Sequence, residues 1–196
     1  MRSMLVGVAA VLALAVAGGT PVAAQVAVSS PVRFGVTGGL TVPTGSLSDY
    51  SGTGWNAGAL VDVGFPLLPL GFRVDAMWQQ LPGKLASDGL STATRFIDGT
   101  LNATYSFGGL SAVNFYFIGG LGVYNVRMEA RQTTYPPAGA FTQTTTSSET
   151  RFGLNGGAGV RFRLSGMSTF IEARWHDVFT SGRSAQIVPV SVGIVF

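Results

Sequence analysis

The feature that most constrains the fold is an alternation of apolar with polar or small residues, repeated along most of the chain. Successive side chains of a β-strand point to opposite faces, so this two-residue period predicts strands with one apolar and one polar face. Turn-forming residues separate the alternating segments, and no helical period competes with them. The predicted strands are the eight segments 33–42, 54–65, 71–81, 95–106, 114–127, 150–164, 168–179 and 186–196.

The connections between these segments alternate in length. Three are short, with the sequences PLLPLG, GGLSAV and SGMS, and the four others are longer and more polar. In an antiparallel sheet of sequential strands, this alternation brings every short turn to one end and every long loop to the other. That arrangement is typical of bacterial outer-membrane barrels. We therefore predict an all-β fold, an eight-stranded antiparallel up-and-down transmembrane β-barrel.

Composition and aromatic placement indicate that the apolar face points outward, into lipid. Only 11% of the residues are charged and Lys84 is the only lysine, whereas a soluble domain carries about 25% charged residues. Aromatic residues near strand ends form two predicted girdles, as membrane interfaces favour. The long-loop girdle contains Trp55, Trp78, Phe152, Trp175 and Phe179. The short-turn girdle contains Phe34, Phe65, Phe72, Tyr105, Phe107, Phe115, Phe117, Phe162 and Phe196. The alternative is a soluble barrel with its apolar face inside, which would be recovered from the periplasm without detergent.

The N-terminal segment has the pattern of a secretory signal. Arg2 precedes the apolar run MLVGVAAVLALAVA, and small residues precede Gln25. We therefore expect a signal peptide at 1–24, a barrel domain at 25–196 and a location in the outer membrane. The chain has no cysteine, and its basic residues are scattered rather than clustered as a nucleic-acid-binding surface requires.

The inward faces of the predicted strands carry equal numbers of acidic and basic residues. Eight strands enclose a lumen that side chains can fill, and an unpaired charge there is costly. We therefore predict an ion-pair network that plugs the barrel, with a narrow channel for ions or small solutes as the alternative. The network comprises Asp62, Arg73, Asp75, Asp98, Arg161, Arg163, Glu172 and Arg174.

Enzymatic activity would have to involve His176, the only histidine. Outer-membrane lipid A deacylases place a serine two residues after such a histidine, but this chain has Val178 there. We expect no catalytic residues and interpret His176 as a rim residue bonded to Glu172, Arg174 or loop backbone. One histidine and no cysteine cannot build a typical zinc site, so we predict no metal and no cofactor.

Three segments resemble a known family. The segment FGVTGGLTVPTGSLSDYSGTGWNAGALVDVGFPL resembles the first hairpin of the bacterial outer-membrane beta-barrel domain family, the small OmpA/OmpX-like eight-stranded barrels. TFIEARWHDVF and the terminal VSVGIVF are similar to its last two strands. The resemblance implies that outer-membrane lipid surrounds the barrel and that the outer-membrane assembly machinery inserts it. It also implies that this machinery recognises Phe196 as the assembly signal, and it transfers no catalytic residue.

The longest predicted loop, 129–149, is rich in Thr and Ser and contains Tyr135-Pro136-Pro137. This composition suits either contact with a partner at the cell surface or simple solvation. The sequence therefore indicates an outer-membrane protein that acts structurally or through its loops. Conduction through the lumen and lipid modification are the alternative functions.

Phe196 generates the first testable prediction. In the alternating segment VPVSVGIVF, it faces lipid together with Val190 and Val192 and ends the strand that closes the barrel. Deleting Phe196, or replacing it with Asp, should impair membrane insertion much more than a comparable change within 129–149. The amount of heat-modifiable folded protein in isolated outer membranes measures insertion. Equal insertion of both variants would contradict the interpretation.

Overall fold

The computed structural model describes residues 32–65, 68–84, 90–107, 112–134, 139, 141–164, 166–180 and 184–196. Eight strands form one closed antiparallel ring in which each strand pairs with its neighbours in sequence, and the last pairs with the first. The strands are β1 (Val32–Thr44), β2 (Gly54–Gly64), β3 (Leu70–Pro82), β4 (Leu90–Phe107), β5 (Val113–Thr134), β6 (Phe141–Leu164), β7 (Met167–Phe179) and β8 (Ser184–Val195). The predicted fold class is confirmed. The predicted signal peptide and Tyr135–Pro137 lie outside the described residues.

The ring closes with a stagger. When the cross-strand partners of Phe34 are followed once around the barrel, they lead back to β1 at Thr44, ten residues further along the strand. A stagger of this kind requires the strands to tilt against the barrel axis. Beyond the β1–β8 ladder, the backbone N–H of Phe196 donates to the carbonyl oxygen of Phe34 at 2.8 Å.

The faces of the strands are as predicted. Along β3 every second side chain, from Phe72 to Trp78, is exposed, and the intervening side chains from Arg73 to Gln79 are buried in the lumen. Every aromatic residue assigned to the two girdles lies on the exposed outer surface, from Phe162 at 37% exposure to Phe152 at 70%. Among the described residues, no helix is long and apolar enough to cross a membrane.

The prediction of a long loop at 129–149 is wrong for most of its length. β5 continues to Thr134 and β6 begins at Phe141, so the two strands form a hairpin that projects beyond the barrel. Their register continues without interruption from Val113–Phe162 to Thr134–Phe141. The strand signal is missing from the sequence because both faces of the projecting hairpin are polar. Thr side chains are nevertheless well suited to strands, and cross-strand pairs such as Thr133 and Thr142 hydrogen-bond at 3.1 Å.

An apolar cluster fills the lumen at the long-loop end. A 3-10 helix, Gly45–Asp49, follows β1 and contributes the buried side chain of Leu47. The cluster contains Leu47, Leu81, Phe96, Tyr124, Val126, Val178, Ala185 and Ile187. Five of these side chains, Leu81, Phe96, Tyr124, Val178 and Ile187, have no exposed surface. The inward face is therefore polar in the middle of the barrel and apolar at this mouth.

Candidate functional site: the lumen ion-pair network

A central layer of four charged residues crosses the lumen. Arg73 and Asp75 lie on β3, whereas Glu172 and Arg174 lie on β7, on the opposite side of the ring. Arg73 contacts Asp75 at 3.1 Å and Glu172 at 2.6 Å, and Arg174 contacts Glu172 at 2.7 Å and Asp75 at 3.3 Å. All four side chains are almost fully buried. Each ion therefore has two partners of opposite charge, which offsets the cost of removing it from water.

A second layer lies nearer the short-turn end. The carboxylate of Asp62 on β2 accepts from Arg33 at 2.8 Å and forms an ion pair with Arg161, from the opposite wall, at 2.9 Å. The Arg161 guanidinium also lies over the ring of Tyr116, 5.3 Å from its centroid. The Tyr116 hydroxyl in turn donates to Glu172 at 2.7 Å and connects this layer to the central one.

Towards the long-loop end, hydrogen bonds rather than ion pairs connect the polar side chains of the lumen. Asp98 accepts from the Gln79 amide at 2.8 Å, and the Gln79 oxygen accepts from the Thr41 hydroxyl at 2.9 Å. Asn56 donates to Thr41 at 3.2 Å and accepts from Ser191 at 2.9 Å. These five side chains connect strands β1, β2, β3, β4 and β8 through one chain of bonds.

The structure brings together six of the eight residues assigned to the network: Asp62, Arg73, Asp75, Arg161, Glu172 and Arg174. Asp98 faces the lumen but bonds to Gln79 in place of an arginine. Arg163 has the inward register but lies exposed at the end of β6, because the barrel wall ends there. Sequence reasoning missed Arg33, although its position one residue before the outward Phe34 indicates an inward side chain.

Inward glycines make room for the long side chains of this interior. At three positions a Cβ atom would collide with an aromatic ring that lies across the strand. The pairs are Tyr116 over Gly159, Tyr124 over Gly153 and Phe170 over Gly193. With no side chain at Gly159, Tyr116 of β5 passes over β6 to reach Glu172 on β7.

His176 is buried rather than at the rim, and its partner differs from the predicted ones. Its Nδ1 atom lies 2.8 Å from the Tyr124 hydroxyl. The glycine at 153 explains this partner, because it lets the Tyr124 ring cross β6 to β7. Val178, at the position where a deacylase would place its serine, is fully buried in the apolar cluster. Among the described residues, no three His, Cys, Asp or Glu side chains form a group that could hold a metal ion.

Comparison with protein families identifies the chain. The model of the outer membrane protein beta-barrel domain matches residues 10–196. The chain belongs to this family. Its members are outer-membrane proteins, and the closed eight-stranded ring with a lipid-facing aromatic surface agrees with that location. This protein of the outer-membrane beta-barrel family therefore resides in the cell outer membrane.

Solved structures with the same architecture support the fold. Neisserial surface protein A is 16% identical, with a TM-score of 0.55 over 85% of this chain and 96% of that chain. A major outer membrane protein from Thermus thermophilus is 15% identical, with a TM-score of 0.57 over 84% and 98%. The attachment invasion locus protein of Yersinia pestis is 12% identical, with a TM-score of 0.50 over 84% and 97%. Comparison with curated protein sequences gave no significant match.

The central layer generates a stability prediction. Glu172→Gln removes one carboxylate from between two buried arginines and should lower the free energy of unfolding by about 3–5 kcal/mol. Asp98→Asn is the matched control, since Asp98 has no ion pair among the described residues and the asparagine oxygen can still accept from Gln79. Its effect should stay within about 1 kcal/mol. Urea unfolding in detergent, followed by tryptophan fluorescence, measures both, and equal losses would contradict the pairing described above.

Proposed function

We propose that this outer-membrane barrel is a non-conducting, non-catalytic protein that acts as a membrane scaffold and presents a rigid β-sheet at the cell surface. The observation that carries the proposal is the central layer, in which Arg73 and Asp75 meet Glu172 and Arg174 from the opposite wall. Ion pairs that span the full width of a lumen leave no continuous path for a hydrated solute. They serve as a structural plug.

The apolar cluster at the long-loop mouth supports the same function. Phe96 and Ile187 are fully buried there, and Leu47 of the 3-10 helix packs against the cluster. An ion that entered from outside would have to cross this apolar section before it met the charged layers. The cost of moving an ion out of water into such surroundings is several kcal/mol or more. Two barriers of different chemistry therefore favour a plug over the alternative of a narrow channel.

The projecting hairpin favours contact at the cell surface over simple solvation. Among the described residues, the β6–β7 ladder begins at Gly153, so the segment of β6 from Phe141 to Ser148 pairs with β5 and forms an edge of the projecting sheet. Such an edge can accept an additional strand from another molecule. Phe141, near the tip, is 65% exposed, which adds an apolar contact to the polar sheet.

A lipid-modifying enzyme is the least supported alternative. His176 lies under the apolar cluster with its Nδ1 atom against Tyr124, so a lipid substrate at the outer surface would not reach the imidazole. We therefore propose a structural role for His176. Unchanged lipid A profiles on overexpression are expected, and deacylated lipid A that depends on His176 would contradict the proposal.

Conductance tests the plug directly. The purified protein in planar bilayers should give no reproducible single-channel steps, because both barriers block the lumen. Arg161→Ala and Arg163→Ala form a matched pair, since Arg161 is buried in the lumen and Arg163 is exposed at its end. Reproducible steps in the unmodified protein that disappear in Arg161→Ala would establish a pore and overturn the proposed function.

Shortening the hairpin tests the surface role. Deleting residues 132–143 and joining Arg131 to Thr144 through an Asn-Gly turn preserves the remaining register, because these two residues are cross-strand partners. The shortened variant should insert and resist urea like the full chain, while adherence of expressing cells to coated surfaces should fall to the level of cells without the protein. Undiminished adherence would exclude the tip as the contact surface.

A further inference from the structure

Two arginines face each other on the outer surface of the barrel. Arg95 of β4 and Arg127 of β5 are cross-strand partners, and both have the outward register. Like charges in direct opposition destabilise a sheet. No carboxylate is placed opposite either of them, because Arg95 pairs with Gln80 on its other side and Arg127 pairs with Ser148. Both arginines act on the carboxylate of Glu129, which is already hydrogen-bonded to Arg131, so three positive charges share one negative charge.

A small hollow lies beside this pair, and we call it the rim hollow. It is lined by Gln80, Ser91, Thr92, Ala93, Arg95, Glu129 and Arg131. Its volume is about 170 Å³, several times the roughly 30 Å³ that one water molecule occupies in the liquid. Ala93 is the cross-strand partner of Glu129 and lies two residues before Arg95 on β4, so its short side chain fills little of the space beside them.

The cationic side chains around the rim hollow are held in place. Arg95 lies over the ring of Trp78, with its guanidinium carbon 4.7 Å from the ring centroid. Its Nε atom is shielded from solvent and has no hydrogen-bond partner among the described residues. Arg131 donates from Nε to Glu129 at 2.8 Å. That hydrogen bond, together with the charges of Arg131, Arg127 and Arg95, lowers the pKa of the Glu129 carboxyl. The local field is therefore positive despite the one carboxylate.

The rim hollow lies at the height where lipid headgroups begin. Trp78 belongs to the long-loop girdle and marks the outer membrane interface. Arg95 pairs with Gln80, two residues beyond Trp78 and so about 7 Å further along the strand. The arginines point outward from the barrel wall, towards neighbouring lipids. An anion bound here would be carried by the outer leaflet.

We propose that Arg95, Arg127 and Arg131 bind a phosphate group of a phosphorylated lipid headgroup in the outer leaflet. A guanidinium presents a planar fork of donors that matches two phosphate oxygens. Arg95 and Arg127 approach the phosphate from adjacent strands, and the free donors of Arg131 approach it from the far side of the hollow. The bound phosphate supplies the further negative charge that Glu129, shared among three arginines, does not. This site is independent of whether the lumen conducts.

Titration of the detergent-solubilised full chain with diphosphoryl lipid A, read by native mass spectrometry, tests the site. Changing Arg95 and Arg127 together to Gln should weaken binding about tenfold or more, because two charge-assisted contacts are lost. Arg163→Gln is the matched control, since it removes one exposed arginine at the opposite end of the barrel, and it should leave binding within about twofold. Lipid A with both phosphates removed should bind the unmodified protein as weakly as diphosphoryl lipid A binds the double variant.

Stability without lipid gives a second, independent measurement. Since the double variant removes an unfavourable like-charge pair, its unfolding midpoint in urea should equal or exceed that of the unmodified protein. A lower midpoint would contradict the interpretation that the opposed arginines destabilise the sheet. Equal binding of lipid A by the double variant, or equal binding of the dephosphorylated lipid, would overturn the site. Inorganic phosphate that displaces lipid A at equal molar concentration would assign the site to free phosphate and overturn the lipid source.

Discussion

The structure depends on one constraint, that every backbone N–H and C=O group inside the hydrocarbon layer must have a partner within the protein. An open sheet edge there would cost several kcal/mol for each unpaired group. The β1–β8 ladder removes that edge, and its register continues to the bond between Phe196 and Phe34. Closing eight strands in this way fixes a narrow lumen. A narrow lumen brings charges from opposite walls into contact, so the interior layers follow from the closure.

Much of the fold could be predicted because the membrane imposes a simple pattern. The two-residue period identifies which side chains share a face, and the girdles of aromatic residues identify which face meets lipid. These two observations gave the correct direction for Arg73 and Trp78 on β3. The pattern fails where the membrane ends. Beyond Val126 both faces of β5 are solvated, so nothing in the sequence distinguishes an extended strand from a loop, and only the cross-strand register with β6 reveals the hairpin.

The sequence predicts that ion pairs form inside the lumen, but it does not predict which residues form them. Equal numbers of inward acids and bases indicate ion pairs, yet which ones meet depends on side-chain length and on the stagger of the ring. Asp98 shows this limit, because its hydrogen-bond partner in the lumen is Gln79 rather than an arginine. Tyr124 shows another, since it reaches His176 only because the intervening strand carries Gly153. Contacts of this kind join residues far apart in sequence and require coordinates.

The length of β5 and β6 also has a mechanical consequence. β6 has 24 residues, which corresponds to roughly 80 Å of extended chain, and it runs without a break from the short-turn end to the tip of the hairpin. A pulling force at that tip acts along both strands together, so it shears the ladders that join β5 to β4 and β6 to β7, whose hydrogen bonds share the load in parallel rather than breaking one at a time. The barrel wall below then carries the load jointly with the hairpin. Tension on the cell surface is thereby transmitted into the membrane through one continuous sheet, with no hinge between them.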